Sequence, residues 1–161
     1  MDDVRLRLYQ PDDAEWLVEA HQTHYRAAEG FDDTFGPLVA RILAVFAESH
    51  DATRERGWIA EDGQGRLGSI FCVDAREDGL AKLRLFLLAE RGRGTGLAPR
   101  MLGECMRFAR GAGYAGMTLW THRSHVAAGR LYERTGFALI AEKPVRSFGV
   151  DLVEQHWRIA F

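Results

Sequence analysis

Arg91-Gly92-Arg93-Gly94-Thr95-Gly96 lies between an apolar, strand-like run, Leu80 to Leu88, and an amphipathic helical pattern from Leu97 to Arg110. Three alternating glycines at the start of a helix leave backbone N–H groups uncovered, and the helix dipole favours an anion there. This stretch therefore predicts a phosphate-binding loop. An ordinary glycine-rich turn between a strand and a helix is the alternative interpretation.

The elements around this loop predict one domain over residues 1–161. The residue patterns favour strands and helices at these positions: a strand at Val4 to Leu8, helices from Pro11 and over Pro37 to Glu48, strands at Trp58 to Glu61 and Leu67 to Val73, a strand at Met117 to Thr121, a helix capped by Ser124 and ended by Gly136, and strands at Phe137 to Glu142 and Val153 to Phe161. The helix after the glycine loop crosses over between two strands, so those strands should be parallel neighbours. We therefore expect an α/β fold of the α+β type, with a mixed, mostly antiparallel sheet of about seven strands and about four flanking helices.

Composition restricts the class of ligand. The chain has 21 basic and 23 acidic residues, a net charge of -2, and this balance argues against a nucleic-acid partner. Cys72 and Cys105 lie in no metal-ligand spacing, so we expect no metal and a reducing, cytoplasmic compartment. No apolar run reaches the length of a membrane span, so no membrane partner is expected.

Two familiar phosphate loops do not fit these residues. A dinucleotide-binding fingerprint requires glycine or alanine where Leu97 or Pro99 stands. The loop of nucleoside triphosphatases ends in Gly-Lys-Ser/Thr, and Lys82 and Lys143 are the chain's lysines. Neither motif explains the glycines.

The pattern Arg91-x-x-Gly94-x-Gly96 and the later segment Leu131-Tyr132-Glu133-Arg134-Thr135-Gly136-Phe137 together resemble the GNAT superfamily of N-acetyltransferases. His21-x-x-x-Tyr25 and the segment Ser147 to Trp157 are similar to a branch often joined to MarR-type regulators. The resemblance implies that the loop binds the pyrophosphate of acetyl-CoA. It implies these cofactor-binding residues: Phe86, Leu87, Leu88, Arg91, Gly92, Arg93, Gly94, Thr95, Gly96, His125 and Tyr132.

The activity implied by the resemblance is direct acetyl transfer from acetyl-CoA to the amine of a small molecule or a peptide. A backbone N–H at Leu87 or Leu88 would stabilise the oxyanion, and Tyr132 would protonate the departing thiolate. His21, on the apolar stripe of its helix, is the candidate base, with His24 nearly one turn later, although a histidine on such a face is more often a core residue. Glu29, Glu77, Asp151, His122 and ordered water are the alternatives.

Tyr25, Phe31 and Phe148 are the expected substrate-binding residues, with Phe35 beside them, although aromatic clusters are more often core. His125 stands where many superfamily members carry asparagine, and Val150 stands where closer relatives carry histidine. The link before Arg91 is also about two residues shorter than usual, by comparison of the motif with its family. A non-catalytic acyl-CoA sensor is therefore the alternative function, and the resemblance also allows a homodimer.

Overall fold

A computed structural model describes residues 3–161 of the chain. Within that range it contains seven strands and four α-helices, in the following order. They are β1 (Arg5–Leu8), α1 (Ala14–Glu29), α2 (Phe35–Ser49), β2 (Arg56–Asp62), β3 (Gly65–Asp74), β4 (Leu80–Leu88), α3 (Leu97–Gly111), β5 (Gly116–His122), α4 (Val126–Thr135), β6 (Ala138–Ser147) and β7 (Val150–Ala160). Short 3-10 turns at Pro11–Asp13 and Glu90–Gly92 precede α1 and the glycine loop.

The seven strands form a single mixed sheet in the order β1-β2-β3-β4-β5-β7-β6. β4 and β5 run parallel, because α3 crosses over between them, and the other neighbouring strands are antiparallel. The predicted fold class is therefore confirmed. The crossover leads the chain from the carboxyl end of β4 directly into the glycine loop.

Two apolar clusters cover the two faces of the sheet. On one face Leu17 of α1 and Leu43 of α2 pack against Ile59 and Phe71. On the other face α3 and α4 bury a larger set, which includes Trp58, Ala60, Met101, Leu102, Cys105, Leu131 and Tyr132. Consecutive residues of β2 contribute to opposite clusters, as the alternation of side chains along a strand requires. The sheet therefore lies between two helical layers.

Several strand and helix ends differ from the expectations by a few residues, and two of the differences concern β6 and the start of α4. β6 extends to Ser147, beyond the predicted end at Glu142, although it contains Pro144. A proline is tolerated there because β6 is the edge strand of the sheet. Ser124 was predicted to cap the last helix, and this is wrong, since the residue at the N-cap is His125 and no side chain caps the helix.

None of the helices within residues 3–161 combines the length and apolar character needed to cross a bilayer. Cys72 and Cys105 are both buried and carry free thiols. The described part of the chain places no group of three His, Cys, Asp or Glu side chains so that they could hold a metal ion.

Candidate active site

The two parallel strands separate at their carboxyl ends. β4 pairs with β5 over Leu80–Lys82 and Gly116–Thr118, and within the described residues its register continues no further. Beyond this point β4 stays paired with β3 through Leu88, so a gap opens beside the second half of β4. We call this opening the β4–β5 gap.

The end of β4 presents backbone groups to the gap. The N–H of Ala89 donates to Leu67 O at 2.7 Å, on the β3 side. Successive residues of an antiparallel strand direct their backbone groups to opposite edges, so the N–H of Leu88 faces the gap. This choice between Leu87 and Leu88 could not be made from the sequence, because it depends on the register with β3.

A β-bulge bends β4 just before this point. Between the pairs Ser69–Leu87 and Phe71–Arg84, β4 has one more residue than β3. Leu85 lies in the bulge with φ +48°, a conformation that is unusual for a leucine. A bulge increases local twist and bends a strand, which accounts for the separation of β4 from its parallel neighbour.

The part of the glycine loop with exposed backbone N–H groups begins at Gly94. Gly94 and Gly96 have φ of +69° and +82°, and a Cβ at either position would meet no atom within 4 Å. Within residues 3–161 no backbone carbonyl accepts from the N–H groups of Gly94, Thr95 or Gly96. These donors lie immediately before the first turn of α3, with Gly96 at its N-cap, so this part of the loop is open to an anion.

The expectation that all three glycines expose their N–H groups is wrong for Gly92. Its N–H donates to Ala89 O at 2.9 Å, because the chain makes a 3-10 turn there. Gly92 is buried, and a Cβ would lie 3.2 Å from Leu88 and 3.3 Å from Leu97. Glycine is therefore needed at position 92 for close packing. The part of the loop that can bind phosphate is shorter than predicted.

Two arginine side chains hold the loop in place. Arg91 makes a two-point ion pair with Asp62 of β2, with N–O distances of 2.9 and 3.2 Å. Arg93 donates from Nε and Nη2 to Leu88 O at 3.3 and 3.2 Å, and its Nη2 also donates to Nδ1 of His24 at 2.8 Å. The Arg93 guanidinium thus lies at the gap edge of β4, where it links the loop to α1.

Tyr132 of α4 is 4% exposed, and its ring packs against Phe137 and Trp157. Its hydroxyl makes no hydrogen bond within residues 3–161. The hydroxyl oxygen is not completely enclosed by protein. Burial, and next the charge of Tyr25, raise the pKa of Tyr132 above its ordinary value. The two phenols therefore lie within electrostatic range, and Tyr132 keeps its proton at neutral pH.

The predicted substrate-binding aromatic residues come together between α1 and the β6–β7 hairpin. The ring of Phe31 lies 5.3 Å from that of Tyr25 and 4.8 Å from that of Phe148, between ring centroids. Phe31 is 2% exposed, so it supports the cluster from behind instead of presenting a surface. Burial, and next the charge of Glu29, raise the pKa of Tyr25 to about 12.

His21 lies in the core and not at the surface of the gap. It is 3% exposed, and its Nδ1 donates to Leu17 O at 2.8 Å. Burial lowers the pKa of His21 to about 4. Its role as a base stays a prediction, but a group with this pKa is a weak proton acceptor at neutral pH.

One pairing was not predicted from the sequence. His125 Nε2 lies 3.1 Å from Oε1 of Glu29, so the start of α4 meets the last residue of α1. His125 Nδ1 lies 3.0 Å from the hydroxyl of Thr121, and its ring is 5.1 Å from Tyr25. Glu29 and His125 were considered separately, as a base and a cofactor contact, and nothing local in the sequence indicates that they meet.

A surface depression of about 830 Å³ lies elsewhere, between α1 and α2. None of the residues predicted for the site lines it. The loop and Leu88 meet at the β4–β5 gap, away from this depression.

The chain was compared with families and curated proteins. A model described as the acetyltransferase (GNAT) family matches residues 12–137. N-acetyltransferase 8B of Rattus norvegicus is 32% identical over 100 residues, which cover 59% of this chain and 45% of the relative. N-acetyltransferase family 8 member 2 of the same organism is 32% identical over 99 residues, 59% of this chain and 44% of the relative. The match thus spans less than half the length of these curated relatives.

Solved structures share the fold. An acetyltransferase of the GNAT family from Staphylococcus aureus superposes with a TM-score of 0.79 at 16% identity, over 98% of this chain and 99% of that chain. Spermidine N-acetyltransferase from Vibrio cholerae, in complex with CoA and spermine, gives a TM-score of 0.75 at 15% identity, over 98% and 95%. These likenesses establish the architecture, and the family model extends over well more than half of the sequence. The protein is therefore a member of the acetyltransferase (GNAT) family.

Proposed function

We propose that this chain transfers the acetyl group of acetyl-CoA to a primary amine, with both substrates bound at once. The observation that carries the proposal is that the open N–H groups of Gly94 to Gly96 lie at the carboxyl end of β4, beside the gap that Leu88 faces. A phosphate site and a backbone donor for a reacting carbonyl would then lie next to each other. The neighbour that was crystallised with CoA and spermine supports this pair of substrate classes.

The loop fits the pyrophosphate of CoA. A Cβ at Gly94 or Gly96 would point into open space, so a phosphate can approach the backbone closely. The N–H groups of Gly94, Thr95 and Gly96 would hold it, assisted by the positive end of the α3 dipole. The ion pair between the side chains of Arg91 and Asp62 keeps the loop against β2. Arg91 would thus contribute to cofactor binding by holding the loop in position.

Acetyl-CoA supplies a thioester whose carbonyl carbon accepts the amine and whose sulfur leaves as a thiolate. In the β4–β5 gap the N–H of Leu88 would stabilise the carbonyl oxygen as negative charge develops on it. Phe86 and Leu87 precede that donor in β4. Their side chains would pack in the sheet and so hold the backbone beside the cofactor in place. The Leu85 bulge positions the donor, because it bends the end of β4 away from β5.

Tyr132 would donate a proton to the thiolate. Its raised pKa keeps the hydroxyl protonated, and within residues 3–161 that hydroxyl has no competing hydrogen bond. His125, two helical turns before Tyr132 along α4, would border the pantetheine arm. Tyr25 and Phe148 would form the wall of the amine site, supported by Phe31.

We also propose a domain organisation and a cellular location for this chain. Residues 1–161 would act as one catalytic domain, and the free thiols of Cys72 and Cys105 are compatible with a reducing, cytoplasmic compartment.

The test is release of CoA thiol from acetyl-CoA by the full chain, against a panel of amines, amino acids and peptides with a no-acceptor control. We expect release that depends on an amine and saturates with it. Tight binding of acetyl-CoA without any acceptor-dependent release would instead support the sensor alternative.

A further inference from the structure

Two imidazole nitrogens near the β4–β5 gap are enclosed by protein and, within residues 3–161, make no well-formed hydrogen bond. They are Nδ1 of His122 and Nε2 of His125, and they lie on the last residue of β5 and just before α4. The two rings are 5.4 Å apart, between centroids. Burial of a polar atom without a well-formed hydrogen bond is unfavourable, so two neighbouring ones favour a ligand that would satisfy them.

The carboxylate of Glu29 faces the same place. Its Oε1 is 3.1 Å from His125 Nε2, and the side chains are 11% and 18% exposed. The two groups are at ion-pair distance, but they are not aligned as in a regular hydrogen bond. When the Thr121 hydroxyl accepts a bond from Nδ1 of His125, 3.0 Å away, the lone pair of that imidazole lies on Nε2.

With this tautomer, the recess presents a carboxylate oxygen and an imidazole lone pair side by side. A carboxylate and an imidazole lone pair are both satisfied by a group with several N–H bonds and a positive charge. The ring of Tyr25, 5.1 Å from that of His125, adds an aromatic face of the kind that attracts cations. An ammonium group has each of these properties.

We infer that Glu29 and His125 bind the ammonium group of the acceptor, and that Nε2 of His125 takes the proton which makes this nitrogen a nucleophile. The acceptor is then a cationic primary amine carried on an apolar or aromatic body that fits against Tyr25 and Phe148. This inference rests on the proposed acetyl transfer and names the acceptor class and the base for it.

The proton balance closes. The ammonium loses one proton to His125, and the free amine forms the C–N bond as the carbonyl π electrons move to oxygen. When the carbonyl re-forms, the C–S bond breaks and sulfur leaves with the electron pair. Tyr132 gives that sulfur a proton and regains one from the new amide nitrogen, while the His125 imidazolium releases its proton to solvent.

His125 is better placed for this role than His21. Burial lowers the pKa of His125, the charge of Glu29 opposes that shift, and the nearby His122 and His24 lower the pKa further. The Thr121 hydroxyl can donate to or accept from Nδ1, so it tolerates both protonation states of the ring. Among residues 3–161 no carboxylate or hydroxyl makes a hydrogen bond to His21, whose bond to Leu17 O lies within its own helix.

The closing experiment uses the full chain and the variants His125→Asn, Glu29→Gln and His21→Asn, each checked for folding by its melting temperature. Asparagine is polar and smaller than histidine and does not accept a proton near neutral pH, so His125→Asn removes the base while keeping a polar side chain at this position. We expect His125→Asn to lower kcat by about 100-fold or more and to abolish the acidic limb of the kcat/KM profile, with unchanged acetyl-CoA affinity. Glu29→Gln should raise KM for the amine roughly tenfold or more.

A second readout does not depend on turnover. In NMR titrations of the CoA-saturated protein, the pKa of His125 should fall in Glu29→Gln, because a negative charge is removed. Benzylamine should shift the His125 signals in the wild type, and benzyl alcohol, its uncharged counterpart, should not.

An unchanged acidic limb in His125→Asn, or its loss in a folded His21→Asn alone, would overturn the inference and leave acetyl transfer intact. The inference would also be overturned if benzylamine caused no shift of the His125 NMR signals. Failure of every amine to release CoA from the wild type is the distinct result that contradicts the proposed function.

Discussion

The hydroxyl of Ser69 donates a 2.6 Å hydrogen bond to the carbonyl oxygen of Leu85, the bulged residue of β4. Ser69 is fully buried on the neighbouring strand, so no water can replace this bond. The serine therefore fixes the backbone conformation that sets β4 apart from β5.

Ser69→Ala should consequently destabilise the protein by about 1–3 kcal/mol, since a buried carbonyl loses its side-chain donor. It should also lower kcat, because the Leu88 N–H would be positioned less well. Urea denaturation and steady-state kinetics measure the two effects. Ser49→Ala, which removes an exposed 2.9 Å bond to Val45 O at the end of α2, is the control and should leave kcat unchanged.

Tyr132→Phe should lower kcat by about 100-fold and leave the dissociation constant of acetyl-CoA unchanged, because it removes a proton donor and little packing area. Tyr114→Phe is a matched control: this buried hydroxyl donates to Arg54 O at 2.8 Å, away from the gap. The control should lose about 1 kcal/mol of stability and no activity. Full activity of Tyr132→Phe would remove this tyrosine from the mechanism.

Gly94→Glu should abolish acetyl-CoA binding, as measured by isothermal titration calorimetry. The new side chain would enter the space that a phosphate needs and would add a like charge, and φ of +69° strains any residue with a Cβ. Gly94→Gln adds the same bulk without the charge, and we expect an intermediate loss. Gly103→Glu places the same charge on an open face of α3 and should bind normally. Wild-type affinity in Gly94→Glu would contradict the loop assignment.

Ionised Asp13 should stabilise the fold, so the free energy of unfolding should fall when this carboxylate is protonated at low pH. Burial acts to raise the pKa of Asp13, but bonds from Arg7, the Gln10 N–H and Arg66 outweigh it and lower that pKa from 3.8 to about 2. A lowered carboxyl pKa stabilises the folded state above the unfolded pKa, and this contribution is lost as pH falls through the folded pKa.

The difference corresponds to about 2 kcal/mol, present above about pH 4 and lost between about pH 4 and pH 2. Asp13→Asn should therefore lower the free energy of unfolding at pH 7 and flatten its dependence on pH in that interval. Urea midpoints at several pH values test this, and an unchanged slope would show that another carboxylate carries the acid sensitivity.

Local patterns were sufficient to predict the framework of the site. The apolar run of β4, the glycines after it and the helical stripe of α3 are contiguous in sequence, so their order indicated the loop directly. The Tyr132 segment was predicted in the same way, since Gly136 ends α4 in a left-handed conformation and turns Phe137 back onto it.

The parts that depend on distant contacts could not be predicted. Leu85 is one apolar residue in an apolar run, and its bulge follows from the register with β3. Glu29 reaches His125 because two helix ends, far apart in the chain, meet over the gap. Gly92 resembles its neighbouring glycines in sequence, and only the 3-10 turn distinguishes its packing role.

The short pairing of β4 with β5 has a consequence for how the molecule unfolds. Backbone ladders are continuous from β1 to β4 and again through β5, β7 and β6, but the two sets join over Leu80–Lys82 and Gly116–Thr118 alone within the described residues. Such a seam allows partial opening at a lower free energy than global unfolding. Native-state hydrogen exchange should then resolve two protection classes that divide at this seam, so the site lies on the boundary between two cooperative units.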